Sequence, residues 1–276
     1  MSDRGDPLAR IADALDRLAA PEHLSADWSS SPAYVWDGTA ARCVAEIVAP
    51  PLELLRGIDA QKALVTSNVA RLAAGHAAHD MLLWGSRGMG KSALLRASVA
   101  AAQAAPDARI ALVQVAPDAL AGLAALFAAL AAVPERRFLV FIDDLGFEDG
   151  DSSAPRALRS WLEGGVEARP GNVRLAVTSN RRAIVPRHLS EQDDPINPRD
   201  AVDDKLALAD RFGLSIGFHA CSQDDYLAIV AGYAAAHGLA WDEAEALEWS
   251  KRRGARSGRV AWQFVTELAG RVGKSL

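Results

Sequence analysis

At 276 residues, half of them hydrophobic and 24% charged, the chain has the make-up of a folded globular protein, with room for one large core or a core plus a smaller appendage. Its formal net charge of −5 argues against holding nucleic acid by bulk electrostatics, though it leaves room for a local basic patch. Two cysteines, Cys43 and Cys221, stand far apart in no metal-ligand spacing, which fits a reducing cytoplasm without a disulfide framework.

In chain order, Leu8, Ile11, Leu15 and Leu18 recur at helical spacing and predict an amphipathic helix over 7–20. The same stretch lacks the uninterrupted apolar core of a secretory signal. "SADWSSSPAYVWDG" (25–38) reads as a loop, because Ser, Pro and Gly break any period. A second helical block starts at Leu52 and ends on Gly75, a plausible helix stop. This first quarter carries no catalytic signature, and packing or partner contact is its expected role.

From Asp80 strands and helices alternate. "MLLWG" predicts a strand, "KSALLRASVAAAQAA" a helix, "RIALVQV" a strand, "DALAGLAALFAALAAV" a helix and "RFLVFID" a strand. "APRALRSWLEGG" is then a helix, "VRLAVTS" a strand and "LSIGFHA" the last strand. Such alternation implies parallel strands with crossover helices covering both sheet faces. After Cys221 only helices are expected, over 223–237, 242–253 and 258–272. The longest apolar run, Ala119 to Val133, falls short of the roughly 20 residues of a membrane span and reads as a core helix.

"GSRGMGKS", Gly85 to Ser92, fits G-x-x-x-x-G-K-[ST] between a predicted strand and a predicted helix, the context that motif requires. Glycines let successive N–H groups of Gly85, Ser86, Arg87, Gly88, Met89, Gly90, Lys91, Ser92 and Ala93 converge on phosphate oxygens at the helix N-terminus. Lys91 is expected to neutralise the β- and γ-phosphates of ATP, and the Ser92 hydroxyl to ligate Mg²⁺. Asp143, which ends the strand "FLVFID", is the expected second holder of Mg²⁺, through water. No N-K-x-D motif appears, which argues against a guanine-nucleotide switch.

Three further features accompany the loop. "RLAVTSN" ends an apolar strand on Thr178, Ser179 and Asn180; Arg211 stands just before the last strand; and "ARSGRVAWQFV" places Arg259 at a helix start, with Arg256 as a competitor. Phosphate loop, acidic strand end, polar strand end and two arginines in this order resemble an AAA+ ATPase over residues 80–272. The strings "WGSRGMGKS", "DDLGFE", "LEGGVEARPGNV", "TSNRR", "DRFGLSIGF" and "RSGRVAWQFV" resemble, more closely, the bacterial AAA+ family catalogued as domain of unknown function 815.

The resemblance implies a three-layer α/β core with a parallel sheet over 51–220, a small all-helical lid over 221–276, and a helical N-terminal extension and linker over 1–50. It assigns Asn180 to the first sensor, which orients the attacking water. Arg211 becomes the arginine finger that reaches a neighbouring subunit, and Arg259 the second sensor in the lid. Asp144 stands where such ATPases usually carry a glutamate base, one methylene longer, and Glu148 is a possible substitute. A shift of about 1.5 Å can cost about a hundredfold in rate, so slow intrinsic hydrolysis is expected.

The implied protein is a cytoplasmic, Mg²⁺-dependent ATPase forming a ring or partial ring and remodelling an unidentified protein partner. The alternative is a nucleotide-switched loader or adaptor on a helicase or DNA, supported by the basic stretches "SNRR" and "KRRGARSGR"; these equally suit sensors and a solvated helix surface. A small-molecule kinase finds no acceptor-substrate signature in the sequence.

Overall fold

The computed structural model describes residues 26–106, 108–145, 158, 161, 162, 169–180 and 210–276. The expected helix at 7–20, Glu148, the basic pair Arg181–Arg182 and most of the expected helix at 154–165 lie outside them; Leu158, Trp161 and Leu162 within that last stretch are helical.

Among the described residues the strands are β1 Ala33–Trp36, β2 Ala41–Val44, β3 Met81–Gly85, β4 Ile110–Val115, β5 Arg137–Ile142, β6 Val173–Ser179 and β7 Leu214–Phe218. They form one sheet in the order β2-β1-β4-β5-β6-β3-β7. All pairings are parallel except β1 with β2. The helices are α1 Asp59–Ala73, α2 Lys91–Gln103, α3 Leu123–Ala131, α4 Gln223–Ala236, α5 Glu243–Arg252 and α6 Gly258–Arg271.

Side-chain alternation along the strands splits the core between the two sheet faces. Leu139 and Phe141 of β5 and Ala176 of β6 pack with α1, α2 and the C-terminal helices, through Val69, Leu94 and Phe264 among others. Their neighbours Phe138, Val140, Ile142, Leu175 and Val177 face the other way onto Leu126, Phe127 and Leu130 of α3. The result is the expected three-layer arrangement. No helix among the described residues is long and apolar enough to cross a membrane.

Two stretches differ from the sequence reading. Residues 33–44, expected as loop and linker, supply β1 and β2. The buried Arg136 causes this: its guanidinium donates to the carbonyls of Trp28 and Ser31 and to the Tyr34 hydroxyl. Trp28 and Tyr34 meet with ring centroids 4.6 Å apart and planes tilted by 43°, and the guanidinium lies over the Tyr34 ring. A four-residue strand held by a side chain a hundred positions away leaves no periodic signal. The helix expected from Asp118 to Val133 is a 3₁₀ segment, Pro117–Gly122, followed by α3. The break lies at Gly122, where a Cβ would stand 2.2 Å from the Gly38 carbonyl oxygen, so β1's exit turn lies against this backbone.

The C-terminal helices are local in origin. Ser222 and Asp225 form a reciprocal capping box at α4, Asp242 caps α5 and Ser257 caps α6. In α6, Val260, Ala261, Phe264, Val265, Leu268 and Ala269 make the buried stripe that a 3.6-residue period requires.

Candidate functional site

β3, β5 and β6 run parallel and finish at one edge of the sheet, with Leu83 opposite Thr178 and Ile142 opposite Val177. The loop after β3, the Asp143–Asp144 pair and the tip Thr178–Asn180 therefore emerge side by side at the carboxyl ends of the strands, where open α/β sheets bind ligands.

The loop 85–90 is bent by glycine. Gly85, Gly88 and Gly90 have φ of 122°, 75° and 86°, values other residues rarely adopt. A Cβ on Gly85 would fall 2.1 Å from the Phe218 carbonyl oxygen, which accepts the Ser86 N–H at 2.9 Å, so the loop is pinned to the end of β7. α2 begins at Lys91 without a side-chain cap, leaving its first N–H groups directed at the loop's concavity.

Lys91 is buried there, 6% exposed. Its ammonium donates to the carbonyls of Gly85 and Ser86, both at 2.9 Å, and to Asn180 Oδ1 at 3.0 Å. All three acceptors are neutral, and among the described residues no carboxylate stands within ion-pair distance of it. Burial lowers its pKa, with Asp144 and Asp143 opposing from farther away. A buried cation satisfied only by neutral oxygens, at a helix N-terminus, is a site built for an anion.

Beside it, Asp143 Oδ1 accepts from the Ser92 and Thr178 hydroxyls, each at 2.6 Å. Thr178 Oγ1 also accepts the Asp144 N–H at 2.8 Å, and its carbonyl accepts the Leu145 N–H at 2.8 Å. One threonine thus fixes the turn that carries both aspartates. Asp144 has φ 52°, the sole positive value outside glycine among the described residues. Aspartate tolerates that left-handed region better than most residues. The turn aims the Asp144 carboxylate at the Asn180 amide, which donates to it, and at Arg87, 3.7 Å away.

The expected residues from Gly85 to Ala93, with Asp143, Asp144 and Asn180, are thus brought together. Arg259 joins them: its backbone N–H donates to the Gly88 carbonyl at 3.3 Å, and it lines a cavity of about 660 Å³ between the loop and α6. Arg211 does not. It precedes β7 at the strand end opposite Phe218, so the strand's length, about 13 Å, separates it from the loop.

The sequence reading passed over other parts of the cavity. Val48, Pro50 and Ile58 on one side and Tyr233 and Trp262 on the other form an apolar end beyond the loop. Arg96 also lines it, and its buried Nε has no partner among the described residues. Arg96 lies four residues beyond Ser92 on α2, hence on the same helix face, a spacing that could have flagged it.

The residues fit a magnesium–nucleotide complex. Glycines keep side chains out of the cradle, Lys91 presents an uncompensated charge, and Ser92 with Asp143 offers hard oxygen donors. No group of three or more His, Cys, Asp or Glu side chains able to hold a metal alone exists among the described residues.

A family model described as "Protein of unknown function (DUF815)" matches residues 29–272. No curated protein matches the chain. Among solved structures, a variant of RuvB from Thermotoga maritima superposes with a TM-score of 0.54 at 18% identity, covering 83% of this chain and 68% of that one. Aeropyrum pernix ORC1, solved in complex with DNA, gives 0.54 at 14% identity, covering 83% and 66%. Aeropyrum pernix ORC2, in ADPNP and ADP complexes, gives 0.50 at 18%, covering 82% and 66%. At these identities the likeness is one of fold.

Proposed function

Since the chain belongs to the DUF815 family and has the AAA+ P-loop fold, we propose that it binds ATP with Mg²⁺ and hydrolyses it to drive a conformational change in an oligomeric assembly. The observation that carries this reading is Lys91, a buried ammonium held only by neutral oxygens at the start of α2. Two groups able to hold magnesium, Ser92 and Asp143, adjoin it.

In this reading the N–H groups of 86–93 and Lys91 hold the β- and γ-phosphates. The apolar end of the cavity takes the base between Ile58 and Trp262. Ser92 and Asp143 hold the Mg²⁺, which supplies charge neutralisation on the phosphate oxygens. Asp144 accepts the proton of the attacking water, and Asn180, already hydrogen-bonded to both Lys91 and Asp144, orients that water. Arg259 reports the nucleotide to the lid. Arg211, remote from its own loop, acts as a finger on the next subunit, so the competent site is shared between copies in a ring or partial ring. The protein partner is unidentified, and the cytoplasm is the expected location.

One observation favours a second reading. The Asp144 carboxylate is engaged by Asn180 and Arg87, so a base must first be released before it can accept a proton. That suits a nucleotide-switched loader or adaptor on a helicase or DNA, with weak intrinsic hydrolysis.

ATP turnover per subunit, followed as protein concentration rises, separates the two. Cooperative growth abolished by Lys91→Ala and Arg211→Ala supports the motor. Binding of ATP with background turnover at every concentration supports the switch. Failure of the native chain to bind ATP, with Lys91→Ala indistinguishable from it, refutes both.

A further inference from the structure

Ile229 and Tyr233 stand four residues apart on one face of α4, and both line the cavity beyond the phosphate loop. Trp262 of α6 lies edge-on to the Tyr233 ring, with centroids 5.0 Å apart and planes at 65°. His237 packs on the same indole at 5.7 Å. The Tyr233 ring is thus fixed in the wall, and only 8% of the residue is exposed.

The chain has three tyrosines, and all are buried. A buried phenol ordinarily finds a partner for its hydroxyl, because a polar group left unmet away from water costs stability. Two of the three do so: Tyr34 donates to the Asp27 carbonyl at 2.6 Å, and Tyr226 to the Ala246 carbonyl at 3.1 Å. The Tyr233 hydroxyl has no partner among the described residues. Burial raises its pKa, with no charge or hydrogen bond contributing. The phenol therefore stays protonated, able both to donate and to accept.

Nor is that hydroxyl sealed inside the protein. Among the described residues the fully covered side-chain atoms without a partner are Nε1 of Trp36 and of Trp249, Nε of Arg96 and Oγ of Ser179. The Tyr233 oxygen is not one of them, so it opens where the residue meets free space, in the cavity wall. Pro50, Leu54, Ile58 and Ile229 line the same end. Arg56 also lines it, laid along α4 at Gly232, where a Cβ would come 2.7 Å from its Nε. An apolar wall with an unmet neutral hydroxyl offers a phosphate nothing. It suits a flat ring that buries its faces and presents a polar edge.

From this we infer that the Tyr233 hydroxyl hydrogen-bonds the polar edge of the nucleobase, and that this residue sets affinity for the base independently of the grip on phosphate. The inference rests on the nucleotide reading proposed above and adds to it a specificity-determining residue on α4. The cost of leaving the hydroxyl unmet in the empty protein is recovered when the base arrives.

The test compares the full native chain with Tyr233→Phe, which removes one oxygen and keeps the ring against Trp262. In calorimetric titration with ATP and Mg²⁺ the variant should bind about three- to tenfold more weakly. Inorganic tripolyphosphate, which has no base, should bind both chains equally. The loss should be as large for 2′-deoxy-ATP and 3′-deoxy-ATP as for ATP. Because the hydroxyl is unbonded in the empty protein, the ligand-free variant should melt at the native temperature or above it. The inference is overturned if ATP binds both chains equally, or if tripolyphosphate weakens as much as ATP. It is overturned too if the loss vanishes with either deoxynucleotide, which would assign the hydroxyl to the ribose, or if the ligand-free variant melts lower, which would show the hydroxyl bonded within the protein. Those outcomes leave the nucleotide reading standing, whereas a native chain that binds no ATP refutes that reading and this inference with it.

Discussion

Replacing Asp144 by asparagine tests the proposed chemistry with little collateral damage, because of the backbone at that position. At φ 52° the residue sits in a region where asparagine and aspartate are at ease, whereas alanine would cost roughly 1–2 kcal/mol. Asparagine preserves the side-chain shape, and the backbone N–H keeps its bond to Thr178 Oγ1. The interaction lost is with Arg87, 3.7 Å away, and both side chains are more than half exposed; such a pair is worth less than about 1 kcal/mol. The stability change is therefore under about 1 kcal/mol, roughly 2–4 °C in Tm for a chain of this size. ATP affinity should also hold, since the groups proposed to grip phosphate are Lys91 and backbone N–H. Turnover, by contrast, loses the general base, a factor of about 10²–10⁴. Phosphate release under saturating ATP, a fluorescent-nucleotide titration and a melting curve measure the three quantities. Turnover kept within a few-fold of native would remove Asp144 as the base, while a fall matched by equal loss of affinity would make it a binding residue.

Thr178→Val deletes the hydroxyl that bridges the two aspartates and strands the Asp144 N–H, costing about 1–3 kcal/mol. Thr178→Ser should restore both melting temperature and activity, and a valine variant as stable as native would contradict the bridge. Gly88→Ala puts a Cβ 2.8 Å from Ser257 Oγ at a φ of 75°, so stability falls by about 1–2 kcal/mol and nucleotide affinity falls with it; equilibrium unfolding and nucleotide titration check both. In thiol labelling at pH 8 the exposed Cys43 reacts first. Burial pushes Cys221 up to about 11, leaving about one thiol in a thousand as thiolate, so it stays silent until the chain unfolds. Two fast thiols in the native protein would contradict that.

The parts of the site written in consecutive residues were legible in the sequence. Gly85 to Ser92 declares itself because glycines, lysine and serine act through one short stretch of backbone between a strand and a helix. Asp143 followed because an apolar strand must end where its carboxylate meets water. What stayed hidden depends on pairs far apart in the chain. β1 exists because Arg136 reaches Trp28, Ser31 and Tyr34. Thr178 was visible as a polar strand tip, but its bond to Asp143 needs the register of β5 with β6. The shortened base raised by Asp–Asp has a conformational side that no residue string carries, the left-handed turn at Asp144. Arg211 was picked out by its place before the last strand, and the topology then set it at the far edge of the sheet.

The contact between Gly88 and α6 joins that helix to the loop's own backbone. The Arg259 N–H closes onto the Gly88 carbonyl, the Gly88 α-carbon has no side chain to hold Ser257 off, and Val260 donates to Ser257 at the same turn. A rotation of α6 therefore tugs on a peptide unit of the loop and not on a pliable side chain. Main-chain links have little slack: stretching one by about half an ångström breaks it. The orientation of α6 and the course of the 85–90 loop are therefore joined through main-chain atoms, with no side chain in between.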